Sequence, residues 1–390
     1  MSLKMGDMEG PVWLCFPSGP QGRLRRAYSG TGKGRCRVIL FRLILLFPSL
    51  MFFPLAFCLA GDGVAPAASS QTTAIAATFG SRIILSSLWT PEELMGKPED
   101  KFAVRQTVSF NRNPPQRAIP VTIQAPLNPE LQHSIRRVAP IGGIKVIALT
   151  FDLCESTTEK SGYDANIVNY LRENSVKATF FAGGKWMLSH PDKTMQLMTD
   201  PLFEVGNHSW SHANFRTIDS GRMDTQILWT QAQYELLWEA LREKVIAKQI
   251  DPSEMNKIPR TPLVFRFPYG ACSPIALDKL KHYGLPAIQW DVVTGDPARG
   301  RSPLEIAQVI LQQVRPGAII ICHANGRGYG TAASLPLFVP KLRALGYDFL
   351  TVSELLTHGP AVSSTECYEL TPGDNLRYDR KIGVNQGDNR

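Results

Sequence analysis

Residues 146–151 form a near-continuous apolar run, Val-Ile-Ala-Leu-Thr-Phe, in a chain of 390 residues. A short run of this kind is typical of a strand buried on both faces, because a strand with one solvated face alternates apolar and polar residues. Further strand candidates follow it: Ala178–Ala182, Leu202–Gly206, Leu263–Phe267, Ala287–Val292, Ala318–Cys322 and Phe349–Val352. Strands buried on both faces need a layer on each side, which indicates a fold of the α/β class.

Segments with helical periodicity alternate with these strands. The candidates are Asp164–Glu173, Thr225–Ala247, a helix that begins after Ser302, and Pro336–Leu345. Pro303 and Glu305 follow Ser302 at the positions that favour a capped helix start. Because strands that alternate with helices pair in parallel through right-handed crossovers, we predict a barrel or a doubly wound sheet.

The first 60 residues have the composition of an export segment. Basic residues at Lys33, Arg35, Arg37 and Arg42 stand before or within the apolar stretch Val38–Ala60. This order is typical of a secretory signal peptide, and the stretch is also nearly long enough for a membrane anchor. We therefore expect an exported protein, periplasmic or extracellular, that is either cleaved after this segment or held by it in the inner membrane.

Composition divides the remaining chain into three parts. Residues 61–136 contain several prolines and no sustained periodicity, so we expect a linker and an extended arm with little core. Residues 137–358 carry the alternating strands and helices, and residues 359–390 form a polar tail. The net charge of +8 owes much to the export segment. Since no basic helix follows that segment, we expect no nucleic-acid partner and no membrane contact elsewhere.

Polar side chains follow several predicted strands at the point where each ends. They are Asp152, His208, His212, Arg266, Tyr269, Asp296 and His323. In an α/β barrel the carboxyl ends of the strands meet at one rim, so we expect these residues to lie together. The spacing of the first two histidines predicts one face of a helical turn, from which both imidazoles reach one ion.

In this order, these residues resemble the polysaccharide deacetylases of the NodB-homology class, carbohydrate esterase family four, which include the chitooligosaccharide deacetylases. The resemblance extends from Lys145 to Leu356, and its motifs are Thr150-Phe151-Asp152, His208-Ser209-Trp210-Ser211-His212, Arg266-Phe267-Pro268-Tyr269, Asp296 and Ile321-Cys322-His323. It implies a distorted (β/α) barrel of about seven parallel strands. It also implies a hydrolase that acts on carbon–nitrogen bonds other than peptide bonds.

The resemblance implies a role for each rim residue. Asp152 would be the general base and His323 the general acid in the hydrolysis of an acetamide. Arg266 would hold Asp152 ionised, and Asp296 would favour the protonated form of His323. The backbone N–H of Tyr269 would help to hold the oxyanion.

His208 and His212 would hold a divalent metal, with zinc as the expected ion. The family has a second aspartate directly after the base as the third ligand, but this chain has Leu153 there. Three alternatives remain open: Glu155 supplies an oxygen, Asp152 itself ligates the ion, or the ion keeps additional waters.

Four cysteines follow the export segment, namely Cys154, Cys272, Cys322 and Cys367. An even number in an exported protein permits disulfides without establishing them. We consider a bridge between Cys154 and Cys272 across the rim, Cys154 as a soft metal ligand, and free buried thiols.

The expected reaction is removal of N-acetyl groups from N-acetylglucosamine units of a chitooligosaccharide or of peptidoglycan. The expected partner is therefore an acetylated amino-sugar polymer or oligomer. One alternative is an O-acetyl esterase, acting on xylan or an exopolysaccharide at the same site. The other is a non-catalytic carbohydrate-binding barrel, which Leu153 favours.

Overall fold

The computed structural model describes residues 79–105 and 114–379. The predicted export segment, Val38–Ala60 included, lies outside these residues. Within the described ranges no helix has the length and apolar character that a membrane crossing requires.

The described residues form short strands and helices in alternation. The strands are β1 (Val104–Arg105), β2 (Ser134–Val138), β3 (Val146–Leu153), β4 (Glu159–Lys160), β5 (Ala178–Ala182), β6 (Phe203–Asn207), β7 (Val292–Val293), β8 (Ile319–His323), β9 (Asp348–Leu350) and β10 (Ala361–Ser364). The helices are α1 (Arg82–Leu88), α2 (Pro91–Met95), α3 (Ala165–Glu173), α4 (Gly184–Ser189), α5 (Pro191–Thr199), α6 (Ser220–Ala247), α7 (Pro274–His282), α8 (Pro303–Gln313), α9 (Thr331–Ala344) and α10 (Val352–Leu356).

The central sheet has the strand order β6-β5-β3-β8-β7, and every pairing in it is parallel. Strand β9 pairs with the first residues of β3, and β5 pairs with its last residues. All residues of β3 are buried. The prediction of a parallel α/β fold around a strand covered on both faces is therefore confirmed.

Single-residue bridges continue the pairing beyond β6 and return it to β8. They join Asn207 to Phe265, Phe265 to Ala287, Ile288 to Ile135 of β2, and Arg137 of β2 to Ala318. The strands predicted near 263–267 and 287–292 are thus reduced to bridged residues and the short β7. This irregular ring of pairings corresponds to the predicted distorted barrel.

The predicted helices are present with small changes at their ends. Asp164 caps α3, and Ser302 caps α8 through a reciprocal arrangement with Glu305. Helices α6 and α9 begin five residues earlier than their patterns predict, at Ser220 and Thr331. The sequence pattern misses these starts because the first turn of each helix lacks a clear apolar face.

The predicted extended arm differs from the structure over residues 79–105. Ile84 of α1 and the following Trp89 are buried in the main core, and Trp89 Nε1 donates to Asp192. Strand β1 pairs with β4. Two apolar side chains are too few to produce a visible periodicity, although they bury substantial apolar surface.

The predicted loose tail also differs from the structure, over residues 359–379. Strand β10 pairs antiparallel with β2, and Arg136 donates to the backbone oxygens of Tyr368 and Glu369. We call residues 361–379 the C-terminal strap. Its polar composition suits its contacts, because it is held mainly by hydrogen bonds and one disulfide rather than by apolar packing.

Candidate active site

Asp152 and Arg266 form a buried ion pair at the carboxyl end of β3. Arg266 is fully buried, and its Nη1 lies 2.8 Å from Asp152 Oδ1 and 2.8 Å from Thr150 Oγ1. Its other nitrogens donate to the backbone oxygens of Ile288 and Gln289. A buried guanidinium with all of these partners is fixed in one orientation, so it fixes the carboxylate as well.

The electrostatics of this pair favour the ionised carboxylate. Burial by itself would raise the pKa of Asp152. The charge of Arg266, followed by smaller effects from His208 and His323, outweighs burial, and the pKa of Asp152 lies below its usual value. Asp152 is therefore poised to accept a proton.

His208 and His212 come together in a loop rather than on a helical turn, so that part of the prediction is wrong. Ser209 and His212 have φ values of 66° and 57°, which no helical turn contains. The two rings nevertheless meet edge to face, with centroids 5.0 Å apart. The chain reverses direction within four residues, and this brings both imidazoles to one point.

Both histidines have the properties of metal ligands. Burial is the largest influence on each pKa and lowers both, that of His212 well below its usual value, so the rings are neutral. His208 Nδ1 lies 2.9 Å from the carbonyl oxygen of Arg266. Because a carbonyl only accepts, Nδ1 carries the proton and Nε2 keeps its lone pair.

Cys154 lies close both to the two histidines, His208 and His212, and to the proposed acid and base, His323 and Asp152. Its Sγ lies within 4.8 Å of ligand atoms of His208 and His212, and within the same limit of Asp152 and His323. Leu153, the residue before it, is fully buried in the apolar core. The side chain at position 153, where the family has an aspartate, therefore points away from the site, and the next side chain, that of Cys154, points into it.

The structure does not support Glu155 as the third metal ligand. The Glu155 carboxylate accepts hydrogen bonds from Ser161 N at 3.0 Å and Ser189 Oγ at 2.5 Å. Within the described ranges it belongs to neither potential metal cluster. Sequence proximity is misleading here, because the chain turns after Cys154 and directs Glu155 toward α4.

His323 and Asp296 form the second charged pair of the site. His323 ends β8 beside Asp152 of β3, and its Nδ1 lies 2.9 Å from Asp296 Oδ1. Asp296 Oδ2 accepts from the His323 N–H at 2.7 Å and from Thr331 Oγ1 at 2.6 Å. Burial alone would lower the pKa of His323, but the Asp296 carboxylate outweighs it and raises this pKa above its usual value.

Tyr269 occupies a strained turn at the edge of the site. Its φ of 59° lies in the left-handed region, and its ring packs on His212 with centroids 4.4 Å apart. Among the described residues no acceptor takes the Tyr269 N–H. A strained, unpaired donor beside potential ligands is a feature typical of functional sites.

The C-terminal strap holds this turn in place. The buried Asn375 donates from Nδ2 to the backbone oxygen of Tyr269 at 3.3 Å and to that of Gly270. Arg216 donates in turn to Asn375 Oδ1 at 2.8 Å. The sequence contains no signal for this contact, because Asn375 lies in a segment whose composition resembles that of a disordered tail.

Of the alternatives considered for the cysteines, the bridge between Cys154 and Cys272 is wrong. Cys272 is bonded to Cys367 of the strap, while Cys154 and Cys322 are free thiols. The half-cystines are 95 residues apart, with Cα atoms separated by 5.5 Å. Proximity of Cys272 to the catalytic motif in sequence did not identify its partner, because connectivity depends on where the strap returns.

Residues 141–288 match the family model for polysaccharide deacetylase. This segment is similar to the polysaccharide deacetylases. The resemblance predicted from the rim motifs is therefore confirmed.

Curated relatives carry related names. The peptidoglycan-N-acetylglucosamine deacetylase PgdA of Listeria monocytogenes is 28% identical over 270 residues, which cover 69% of this chain and 49% of that protein. The chain thus spans about half of the length of this relative. A peptidoglycan-N-acetylglucosamine deacetylase of Bacillus cereus is 26% identical, over 55% of this chain and 89% of that protein.

Solved structures of carbohydrate esterase family four are also similar. A pseudoenzyme from Bacillus anthracis is 24% identical, with a TM-score of 0.47 over 60% of this chain and 72% of that one. The family 4 carbohydrate esterase of Streptomyces lividans is 25% identical, with a TM-score of 0.43 over 58% of this chain and 99% of that one.

Proposed function

We propose that this protein is a metal-dependent hydrolase that removes N-acetyl groups from N-acetylglucosamine units of peptidoglycan or of a chitin-type oligosaccharide. The observation that carries the proposal is that Asp152 and His323, side by side at the ends of their strands, have pKa values shifted in opposite directions. The pKa of Asp152 is lowered by Arg266 against the effect of burial, and that of His323 is raised by Asp296. One group is thus ready to accept a proton and the other to donate one, as hydrolysis of an amide requires.

In the proposed reaction Asp152 takes a proton from the attacking water as a bond forms between the water oxygen and the acetyl carbon. The Tyr269 N–H, which has no acceptor among the described residues, donates to the developing oxyanion. His323 donates its Nε2 proton to the leaving nitrogen as the carbon–nitrogen bond breaks. The products are acetate and a free amino sugar.

The residues present fit a divalent metal, because two neutral histidines converge and His208 keeps an unprotonated Nε2. His208 and His212 would hold the ion, and we expect zinc. When bound, such an ion lowers the pKa of a coordinated water and polarises an acyl carbonyl. Asp152 Oδ2 lies 3.6 Å from His208 Nε2, so the proposed base borders the site.

The choice of substrate rests on the relatives, whose names specify peptidoglycan N-acetylglucosamine or N-acetylmuramic acid. The specific observation in favour of a non-catalytic carbohydrate-binding protein is Leu153, which cannot ligate a metal. Against that alternative, the buried Arg266 and Asp296 each orient a group with a pKa suited to catalysis, and sugar binding does not need them.

Acetate release from N-acetylglucosamine oligomers tests the proposal, with acetylated xylan as the substrate of an O-acetyl esterase. We expect release from the amino-sugar substrate and loss of it with a chelator. Asp152→Asn and His323→Gln should each reduce kcat/KM by about 10²- to 10⁴-fold. The matched control is Asp291→Asn, because Asp291 pairs with the exposed Arg315 outside the cluster. Undiminished release in both site variants contradicts the mechanism.

We also propose that the protein is exported. The Cys272–Cys367 disulfide supports this, because such bonds persist in oxidising compartments. Fractionation of the source cells, with blotting for the full-length chain and a cleaved form, provides the test. Recovery in the cytosolic fraction alone would reject export.

A further inference from the structure

We propose that Cys154 is the third protein ligand of the metal centre, a thiolate that takes the place of the missing carboxylate. This inference rests on the proposed function, because it concerns the same site. The supporting observation is that Cys154 Sγ and ligand atoms of His208 and His212 all lie within 4.8 Å of one another. Of the potential clusters formed by described residues, this is the one that contains both histidines.

The separation of the ligand atoms fits a tetrahedral zinc site. With zinc–sulfur and zinc–nitrogen bonds of about 2.3 and 2.0–2.1 Å, a tetrahedral angle places sulfur and nitrogen about 3.6 Å apart. Cys154 Sγ lies 3.4 Å from His208 Nε2. Because Nδ1 donates to the Arg266 carbonyl, Nε2 carries its lone pair, and the Cys154 S–H is the donor that faces it. The two donor atoms are therefore already arranged as neighbours on one ion.

The nearby carboxylates already have partners. Asp152 Oδ1 is bound to the buried Arg266, and although its Oδ2 lies 3.6 Å from His208 Nε2, no potential cluster of described residues contains Asp152 together with both histidines. Glu155 accepts from Ser161 and Ser189. Cys154, by contrast, belongs to the cluster of described residues that contains both histidines.

Cys154 is held in position by the fold. Its carbonyl oxygen accepts from Asn325 Nδ2 at 2.9 Å, just beyond His323 of β8, which fixes the backbone where β3 ends. The thiol is free, since the described disulfide joins Cys272 and Cys367. Binding breaks the S–H bond, releases the proton to solvent and forms a metal–sulfur bond.

A thiolate changes which ions the site accepts. Two imidazoles, one thiolate and a water favour zinc or cobalt, whereas magnesium, calcium and manganese prefer oxygen ligands. We therefore expect this centre to be more selective for thiophilic ions than one completed by a carboxylate.

Cobalt(II) binding to the metal-free full-length chain provides the test. Wild-type protein should show a near-ultraviolet sulfur-to-cobalt charge-transfer band, which Cys154→Ser should lack and Cys322→Ser should keep. Cys322 is a fully buried free thiol outside both clusters, so it is the matched control. Zinc should also protect Cys154 from alkylation, read by peptide mass spectrometry. Cys154→Ser should lower zinc affinity by at least the roughly 10- to 100-fold that loss of an outer-shell partner costs.

The outcomes separate the two proposals. If cobalt binds and acetate is released, but no charge-transfer band forms and zinc leaves Cys154 open to alkylation, the thiolate ligand is refuted and the proposed function stands. If the wild-type chain binds neither ion and releases no acetate, both fail. A Cys154→Asp variant that binds manganese more tightly than wild type would add support, since it restores an oxygen donor.

Discussion

The disulfide between Cys272 and Cys367 should provide a large part of the stability of the strap and of the turn beneath it. The perturbation is the Cys272→Ser/Cys367→Ser double variant. Both half-cystines are buried, and they close a loop between positions 95 residues apart. The strap also carries Asn375, which holds the backbone of Tyr269 and Gly270. Removing the bond therefore affects both the unfolded chain and the site.

The magnitude follows from the entropy of the unfolded chain. For a loop of about 95 residues the chain-entropy relation gives about 4.7 kcal/mol at 25 °C. Some of this is lost in practice, because unfolded chains retain residual structure. We expect the double variant to lower the free energy of unfolding by about 2–5 kcal/mol. With an m value of about 3 kcal/mol per molar urea, the midpoint should fall by about 0.7–1.7 M.

Urea unfolding followed by tryptophan fluorescence measures this change, with acetate release as a second measurement in the folded range. The internal control is reductant. It should shift the wild-type midpoint toward that of the double variant and leave the variant itself unchanged. Activity in the absence of urea should fall as well, because the hydrogen bonds from Asn375 no longer fix the Tyr269 turn.

A midpoint that moves by less than about 0.3 M, with the bond shown to be present in the wild type, refutes the loop-closure argument, since it corresponds to about 1 kcal/mol. An unchanged rate of acetate release in a destabilised variant would refute the separate claim that the strap positions Tyr269.

Three further predictions concern single side chains. Burial lowers the pKa of His190 to about 4. The free energy of unfolding that the neutral ring contributes is fully present above pH 6.5, and we expect at most about 3 kcal/mol of it to be lost between pH 6.5 and 4. Urea titrations of His190→Gln should lack this loss. Asp296→Asn should move the basic limb of the pH–rate profile to lower pH, because Asp296 raises the pKa of His323; an unmoved limb would exclude His323 as the acid. Thr150→Val should cost about 1–3 kcal/mol in thermal unfolding, since the hydroxyl accepts from Arg266 inside the core, and a neutral effect would show that this contact is dispensable.

Much of the barrel was predictable because its signals are local. An apolar run over Val146–Phe151 reports burial on both faces through its own composition, and the capping residues at Ser302 act within one turn. The rim residues Asp152 and His323 follow their strands directly, so their meeting follows from parallel pairing. The sequence could not show that the bridges near Phe265 would replace a full strand, because that depends on the twist of neighbouring strands.

The sequence by itself determined the alternation of strands and helices, the family resemblance and the residues that gather at the rim. Tertiary structure decided what surrounds them. It directs Leu153 into the core and Cys154 toward the histidines, pairs Cys272 with Cys367, and brings Asn375 beneath the Tyr269 turn. The physical reason is that periodicity and strand-end position are properties of neighbouring residues. Distances between side chains from separate strands and from a returning strap depend on register and long-range packing instead.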